Sequence, residues 1–241
     1  MKRFVSGLLL FIMLLGSVPV LGVQEPGEAA YGEAVEFLQS IGVLDGFSGS
    51  KFEPEKVLTR GEAADIAVRA LGYTDERLAD FSEQVFWDVP PECPQFTSVN
   101  AAYHLKLISG VGDNNFSPAA EVSGGQVVKM LVNALGWGFD AEAEGGFPAG
   151  YLTRANRLGL LKGADGFSVD EPVVRGCMAQ MTYNALNAEC LVYQGHQDGE
   201  QVSRKGTLLQ DYLKIYEVRG IVTENGKTSL YGESTLRENE I

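Results

Sequence analysis

The chain carries one pattern three times along its 241 residues. In each copy a phenylalanine stands eight residues before a variable position, and that position stands eleven residues before a leucine. The phenylalanines are Phe52, Phe116 and Phe167, the variable positions are Arg60, Gly124 and Arg175, and the leucines are Leu71, Leu135 and Leu186. Copies 51 to 64 residues apart are supersecondary units rather than whole domains. Because such a unit cannot bury its apolar face alone, the three copies are expected to share one core.

Each repeat is predicted to form a helix, a loop and a second helix. In the first helix of the first repeat, Ala34, Leu38 and Ile41 follow one another at spacings of three and four, which places them on one helix face. The second helix stops at Gly72, since glycine fits the left-handed conformation that ends a helix. We predict a mainly α fold in which three helix-loop-helix repeats surround a pseudo-threefold three-helix core. The repeats span residues 25–73, 86–137 and 147–190.

The pattern changes after the third repeat. Residues 191–211 are predicted to be a linker, with a polar, loop-like stretch at 194–204 and a last helical turn within 207–213. Residues 212–223 alternate between apolar and polar side chains as a strand does. We therefore predict a short C-terminal β segment within 212–241, which either begins a β domain or is a partly ordered tail.

The first 22 residues are predicted to be a secretory signal peptide. Lys2 and Arg3 precede an apolar run at residues 4–15, and small residues follow up to Gly22. The run is shorter than the roughly 20 apolar residues that a membrane span requires. We therefore expect an exported protein that is not inserted in the membrane after cleavage, with an uncleaved anchor as the alternative.

The charge of the chain makes two classes of partner poor candidates. The net charge is −13, and it becomes −15 when the two positive charges of Lys2 and Arg3 are removed with the signal peptide. Such an acidic surface repels the phosphates of nucleic acids and of anionic lipids. An anion can therefore bind this protein only at a local site of positive charge.

The sequence offers no recognisable metal or catalytic site. Cys93, Cys177 and Cys190 form no CxxC pair, and only His104 and His196 could complete a metal set. Cys177 and Cys190 either form a disulfide or remain buried thiols. No nucleophile elbow, metal-spaced histidine pair or phosphate loop occurs along the chain. We therefore expect neither a cofactor nor an enzymatic activity.

The repeats differ most at the start of the second helix. The three strings are Thr59-Arg60-Gly61-Glu62, Ser123-Gly124-Gly125-Gln126 and Val174-Arg175-Gly176-Cys177. The first two satisfy the capping box, in which a Ser or Thr bonds a backbone amide three residues on and a Glu or Gln returns the bond. The second string has Gly124 in place of an arginine, so the second repeat is not expected to bind a ligand. Capping leaves the two arginines unexplained.

An arginine in the first turn of a helix is unfavourable because it lies beside the positive end of the helix dipole. Arg60 and Arg175 occupy that place in two repeats, so a negative partner is expected at each. Exposed helix amides, the dipole and a guanidinium together make a site for a carboxylate or a phosphate. The alternative is that each arginine pairs with an acidic residue of the neighbouring repeat.

The residues around Arg60 resemble a surface-layer (S-layer) homology motif. The matching segments are Ile41-Gly42-Val43, Gly46, Phe52-Glu53-Pro54 and Leu58-Thr59-Arg60-Gly61-Glu62-Ala63, with the opening Phe86-Trp87-Asp88-Val89 in the second repeat. The resemblance covers about residues 31–190 and implies an all-helical, three-pronged domain with grooves between the prongs. It also implies that the chain holds an exported protein non-covalently on the bacterial cell wall. The ligand would be a secondary cell wall polysaccharide attached to peptidoglycan, often one that carries a pyruvate ketal.

The resemblance also assigns the binding residues. The family signature is Thr-Arg-Ala-Glu, whose arginine contacts the acidic sugar, and Thr59, Arg60 and Glu62 match it. Arg175 matches alone in the third repeat. Gly46, at the entrance of the first loop, either lines the groove or only ends a helix. The predicted ligand-binding residues are therefore Arg60, Thr59, Glu62, Gly46 and Arg175.

The predicted function is thus non-covalent anchoring at the cell surface, in the wall or an S-layer, without catalysis. Two alternatives stay open. In one, the chain is the docking part of an envelope enzyme whose catalytic domain lies beyond Ile241. In the other, it is a scaffold whose degenerate repeats make contacts with proteins.

Overall fold

The computed structural model describes residues 26–47, 52–197 and 200–216. Over these residues the molecule is mainly helical and contains a two-stranded antiparallel sheet, which confirms the predicted fold class. The helices are α1 (Pro26–Ser40), α2 (Arg60–Ala70), α3 (Asp75–Leu78), α4 (Phe96–His104), α5 (Gly124–Ala134), α6 (Gly138–Ala143), α7 (Ala149–Arg157), α8 (Arg175–Asn187) and α9 (Leu208–Asp211), the strands are β1 (Cys190–Gln197) and β2 (Glu200–Gly206), and a 3₁₀ helix spans Asp45–Phe47. The predicted signal peptide and residues 217–241 lie outside the described ranges.

The helices of the three predicted repeats interlock. The first helices are α1, α4 and α7, and the second helices are α2, α5 and α8. Each first helix packs on a second helix from another repeat, α1 on α8, α4 on α2 and α7 on α5, and α7 packs to the same extent on α6. The second helices also contact one another in all three pairs, so they form the centre of the molecule. Each repeat therefore completes the hydrophobic core of a neighbour.

Short extended segments before the second helices tie the repeats together through the backbone. The Leu58 amide donates to the Val173 carbonyl at 2.8 Å, the Val173 amide to the Val122 carbonyl at 3.0 Å, and the Val122 amide to the Leu58 carbonyl at 3.1 Å. These three bonds close a ring, and all three side chains are buried. Such a ring is what a pseudo-threefold axis would produce, and the symmetry itself stays a prediction.

The segment after the third repeat differs from the predicted loop. Residues 194–204 were expected to be a loop because they are polar, but most of them lie in β1 and β2, which form an antiparallel hairpin with an irregular register between Tyr193 and Gly195. A hairpin that is largely open to solvent can be polar, so composition did not distinguish it from a loop. Leu191 anchors β1 by donating its amide to the Leu135 carbonyl at 2.9 Å.

The last described residues follow the hairpin. The helical turn expected within residues 207–213 is α9, and its Leu208 and Leu209 side chains are buried. The strand expected at residues 212–223 is absent from the described part, residues 212–216. All three cysteines within the described residues are free, so Cys177 and Cys190 are buried thiols and not a disulfide.

Candidate functional site

Arg60 begins α2, but its side chain contacts the second repeat. Its Nε donates to the Phe116 carbonyl at 2.9 Å and its Nη2 to the Ser109 carbonyl at 3.4 Å. The guanidinium lies over the Phe116 ring, with Cζ 4.5 Å from the ring centroid, which is a cation–π arrangement. Two carbonyls and one ring therefore fix the orientation of a side chain that is only 6% exposed.

The positive charge of Arg60 has no ion-pair partner within residues 26–47, 52–197 and 200–216. Burial lowers the pKa of the guanidinium, and the charge of Asp88 offsets part of that effect. The Asp88 carboxylate is engaged elsewhere, since it accepts the amides of Phe116 at 2.8 Å and Ser117 at 2.6 Å. Arginine stays protonated in proteins, and buried charges are usually paired. An anion from outside the described chain would supply the missing partner.

A cavity of about 230 Å³ adjoins Arg60. It lies between the start of α2, the loop after α4, the side of α5 and the segment before α7. Its polar side chains are those of Arg60, Ser109, Gln126 and Lys129, and Phe147 is an aromatic wall. Two cations and an aromatic ring at one cavity suit a ligand with an acidic group and an apolar face.

Arg175 begins α8 and contacts a carbonyl and a ring, as Arg60 does, but it also pairs with two carboxylates, those of Glu62 and Glu53. Its Nη1 donates to the Phe52 carbonyl at 3.0 Å, and its guanidinium lies over the Phe47 ring at 4.7 Å. Its Nη2 and Nε also donate to the two carboxylate oxygens of Glu62, at 2.5 and 3.4 Å. The expected alternative, pairing with an acid of a neighbouring repeat, is therefore what Arg175 does. Its charge is compensated inside the protein.

Gly124 occupies the equivalent place in α5 and faces the third repeat. A Cβ at this position would lie 2.1 Å from the Ser168 carbonyl oxygen and 2.7 Å from the Phe167 ring. Contacts under 3 Å with a backbone atom require the loop to move. The loop of the third repeat thus fills the space that an arginine side chain would need, so the second repeat has no equivalent of Arg60.

Thr59 and Glu62 form the predicted capping box. The Glu62 amide donates to Thr59 Oγ1 at 3.2 Å, and the Thr59 amide donates to Glu62 Oε2 at 3.1 Å. Neither residue lines the cavity at Arg60. Gly46 lies in the 3₁₀ helix directly before Phe47, whose ring carries Arg175. The structure therefore divides the predicted residues: Arg60 stands at the cavity, while Thr59, Glu62 and Gly46 belong to the side of Arg175.

The helix amides, which were expected to help bind an anion, are occupied. The Arg60 amide donates to the Ala120 carbonyl at 2.9 Å and the Gly61 amide to the Pro118 carbonyl at 2.9 Å. With Glu62 bonded to Thr59, the first three amides of α2 all have partners within the protein. The prediction that free helix amides help to bind an anion is therefore wrong. An anion at this site could be bound by the side chain of Arg60.

Asp88 and Lys129 were not among the predicted site residues. Asp88 belongs to the quoted opening Phe86-Trp87-Asp88-Val89, but only the fold shows that its carboxylate holds the backbone on which Arg60 rests. Lys129 lies on α5 with Nζ 5.6 Å from the Phe147 ring centroid and 3.7 Å from Glu142 Oε1. No local motif marked Lys129, because its role depends on the position of the third repeat.

Other kinds of site are not apparent in the described part of the chain. No group of three or more His, Cys, Asp and Glu side chains is placed to hold a metal ion there. The described helices are also too short or too polar for any of them to cross a membrane.

Comparison with known proteins gives the family context. The S-layer homology domain family matches residues 26–64 and 86–128. The chain is 30% identical over 176 residues to a "Cell surface protein" of Thermoanaerobacter kivui, an alignment that covers 73% of this chain and 22% of that protein. It is 26% identical over 226 residues to the "Middle cell wall protein" of Brevibacillus brevis, covering 89% of this chain and 21% of the relative.

A third relative agrees with these two. The "Surface layer protein" of Brevibacillus choshinensis is 26% identical over 224 residues, covering 89% of this chain and 20% of that protein. The chain thus spans about a fifth of the length of these relatives. Both family matches fall on repeats that the sequence pattern identified, and the third repeat stays a prediction. The chain is therefore an S-layer homology domain protein.

Proposed function

We propose that this chain anchors an exported protein to the bacterial cell wall without a covalent bond, by binding an acidic secondary wall polysaccharide at Arg60. The observation that carries the proposal is a buried arginine that faces a cavity and has no ion-pair partner among the described residues. Relatives named as cell surface, cell wall and surface layer proteins support the same location. No bond is made or broken in this function.

The geometry explains how one arginine can hold a carboxylate. A guanidinium has five N–H donors, and the two carbonyls of Phe116 and Ser109 take two of them. The remaining donors can form charge-assisted hydrogen bonds with an acid group such as that of a pyruvate ketal. Because the side chain is already fixed by its stack on Phe116, little conformational freedom is lost when the ligand binds.

We propose a different role for Arg175 and Glu62. Their ion pair joins the start of α8 to the start of α2, and their side chains are only 6% and 15% exposed. We assign this pair to holding the first and third repeats together rather than to the ligand. Thr59 and Gly46 then serve the same structure, as a helix cap and as part of the 3₁₀ helix. The proposed ligand site is therefore a single one, at Arg60.

Sedimentation with purified wall sacculi tests the proposal. The full chain should pellet with intact sacculi and stay in solution after the secondary polymer has been extracted from them. Raising the salt concentration from about 0.05 to about 0.5 M should weaken binding only modestly, because salt screens the attraction between the guanidinium and the acid group but acts less on a largely buried charge. Equal binding to intact and extracted sacculi would contradict the proposal, and it would favour a scaffold that recognises wall proteins or peptidoglycan.

A further inference from the structure

The stretch after the third repeat, within residues 190–216, contacts the ends of the central helices, on the side of the molecule away from Arg60. Arg60 begins α2, which is 11 residues and therefore about 16 Å long. The ring of backbone bonds through Leu58, Val122 and Val173 holds the starts of α2, α5 and α8 together. The stretch that contains β1, β2 and α9 lies against the other ends of these three helices.

The stretch continues from α8 and bonds at once to the end of α5. The Leu191 amide donates to the Leu135 carbonyl at 2.9 Å, and Trp137 Nε1 donates to the Glu189 carbonyl at 2.8 Å. A Cβ at Gly136 would lie 3.0 Å from Leu191 Cβ, so β1 passes close to the end of α5. The last carbonyls of a helix have no partner within that helix. β1 therefore supplies a donor that the end of α5 needs.

After the hairpin, the chain packs back onto α8 and onto the end of α2. Leu208 and Leu209 in α9 are 0% and 7% exposed, and α9 contacts α8. The chain then passes Gly72, which follows the C-cap of α2 and whose Cβ would lie 3.0 Å from the Tyr212 carbonyl oxygen. Gly72 has a φ of +75°, a conformation that favours glycine. The end of α2 is therefore suited to close contact with this stretch.

Contacts within the stretch join its parts to one another. Arg204 in β2 forms an ion pair with Asp211 in α9, and the other carboxylate oxygen of Asp211 accepts the Thr207 amide at 2.9 Å. Lys205 Nζ lies 2.9 Å from Glu189 Oε1, just before β1. Exposed ion pairs of this kind contribute little stability, so the buried leucines and the backbone bonds are what fix the stretch to the helices.

The order of these contacts along the chain determines where a pulling force is resisted. A force on the residues after Tyr216 reaches Tyr212 and α9 before it reaches β2. The packing of α9 transfers that force to α8, and the contact of Tyr212 with Gly72 transfers it to α2. The hairpin is therefore not pulled apart one hydrogen bond at a time, because α9 is fixed to the core beyond it.

We infer that residues 190–216 form a clamp across the ends of α2, α5 and α8, and that this clamp transfers force from the residues after Tyr216 to the whole central bundle. The inference rests on the proposed function, since a wall anchor has to resist force. It adds a fourth part to the anchoring unit, in a stretch of which residues 191–211 were predicted to be a linker. The predicted signal peptide lies at the start of the chain, so an attached protein would follow the clamp.

Single-molecule stretching of the full chain between its two ends tests the inference. We expect residues 190–216 to be released in the same unfolding step as the helices. At about 3.6 Å per residue, separate release of this stretch would add on the order of 10 nm of chain. Such a gain in length before the helices unfold would overturn the inference and would return the stretch to the role of a linker.

Thermal unfolding of Leu208→Ala, followed by circular dichroism, provides a second test. Because Leu208 is fully buried, its Tm should fall by about 5–10 °C in a single transition. Gln210→Ala is the matched control, since Gln210 is exposed in the same helix and its backbone bond to Thr207 is kept. It should unfold like the wild-type chain. An unchanged Tm in Leu208→Ala would overturn the clamp.

Both measurements are made without wall polymer, so their outcome is separate from that of the sedimentation test. A chain that unfolds as expected but does not pellet with sacculi would contradict the proposed function and leave the clamp in place. A chain that pellets with sacculi but releases residues 190–216 early would contradict the clamp alone. The stretching measurement uses the wild-type chain, so it decides the question even if Leu208→Ala does not fold.

Discussion

Carboxylate partners distinguish two arginines that the sequence presents as equivalents. Arg60 and Arg175 each begin a helix, and each donates to the carbonyl of a phenylalanine in another repeat. Arg175 also holds Glu62, whereas Arg60 faces a cavity. The motif shows where an arginine stands. Whether its charge is available depends on an acid supplied from a different repeat.

Arg175→Ala should destabilise the fold and leave wall binding intact. The change leaves the largely buried carboxylate of Glu62 without its ion-pair partner. We expect a loss of roughly 2–4 kcal/mol in the free energy of unfolding. Urea unfolding measures this loss, and sedimentation with sacculi below the transition measures binding by the folded protein. A stable variant that no longer binds the wall would return Arg175 to the ligand site.

We predict that the protein loses stability at high pH, because the thiols of Cys177 and Cys190 are buried. Burial raises the pKa of both Cys177 and Cys190 from 9.0 to about 11. The unfolded chain releases these protons at lower pH than the folded chain does. The contribution of these two thiols to stability is therefore unchanged below about pH 9 and is lost as the pH rises towards 11. Urea unfolding at about pH 8 and about pH 10.5 should show this fall.

The control is the Cys177→Ala, Cys190→Ala double variant, measured at the same two pH values. It should lose less stability between them than the wild-type chain does. An identical loss would assign the effect to other groups, such as the tyrosines, of which burial raises the pKa of Tyr31 and Tyr151 to about 12.

Among the elements, the second helices were the most predictable part of the molecule. Thr59, Ser123 and Val174 are the N-cap residues of α2, α5 and α8, at the places where the three strings predicted helix starts. The capping boxes of the first two strings are also formed. Helical periodicity reports which face is buried but not against what. The exchange of first helices between repeats was therefore beyond the reach of the pattern.

The start of α5 provides a test of this interlocking. Gly124→Ala should lower the free energy of unfolding by roughly 1–3 kcal/mol, because the new Cβ forces the Ser168 backbone away. Circular dichroism during thermal and urea unfolding measures the change. Gly32→Ala in α1 is the control, since its Cβ would meet no described atom within 4 Å apart from its own chain neighbours and helix backbone, and alanine favours the helix by roughly 0.5–1 kcal/mol. A Gly124→Ala variant as stable as the wild type would contradict the close packing of the third loop on α5.

For the molecule as a whole, the site is a product of the three-way packing. Arg60 comes from the first repeat, Ser109 and Lys129 from the second, and Phe147 from the third. The signature residue alone was predictable, because it belongs to a local motif. The other residues that line the cavity at Arg60 come together through contacts between repeats. The hairpin of β1 and β2, which its polar composition made look like a loop, packs at the end of α5 through Leu191.

The most direct test of wall binding through Arg60 is the affinity of Arg60→Ala for intact wall sacculi, beside Arg77→Ala as a control. Arg77 is an exposed arginine that does not line the cavity at Arg60. Both variants remove one positive charge, so they change the net charge equally. Loss of a charge-assisted contact should weaken binding by Arg60→Ala at least about tenfold. Arg77→Ala should bind like the wild-type chain. Wild-type affinity in a folded Arg60→Ala variant would contradict the proposal that Arg60 binds the wall polymer.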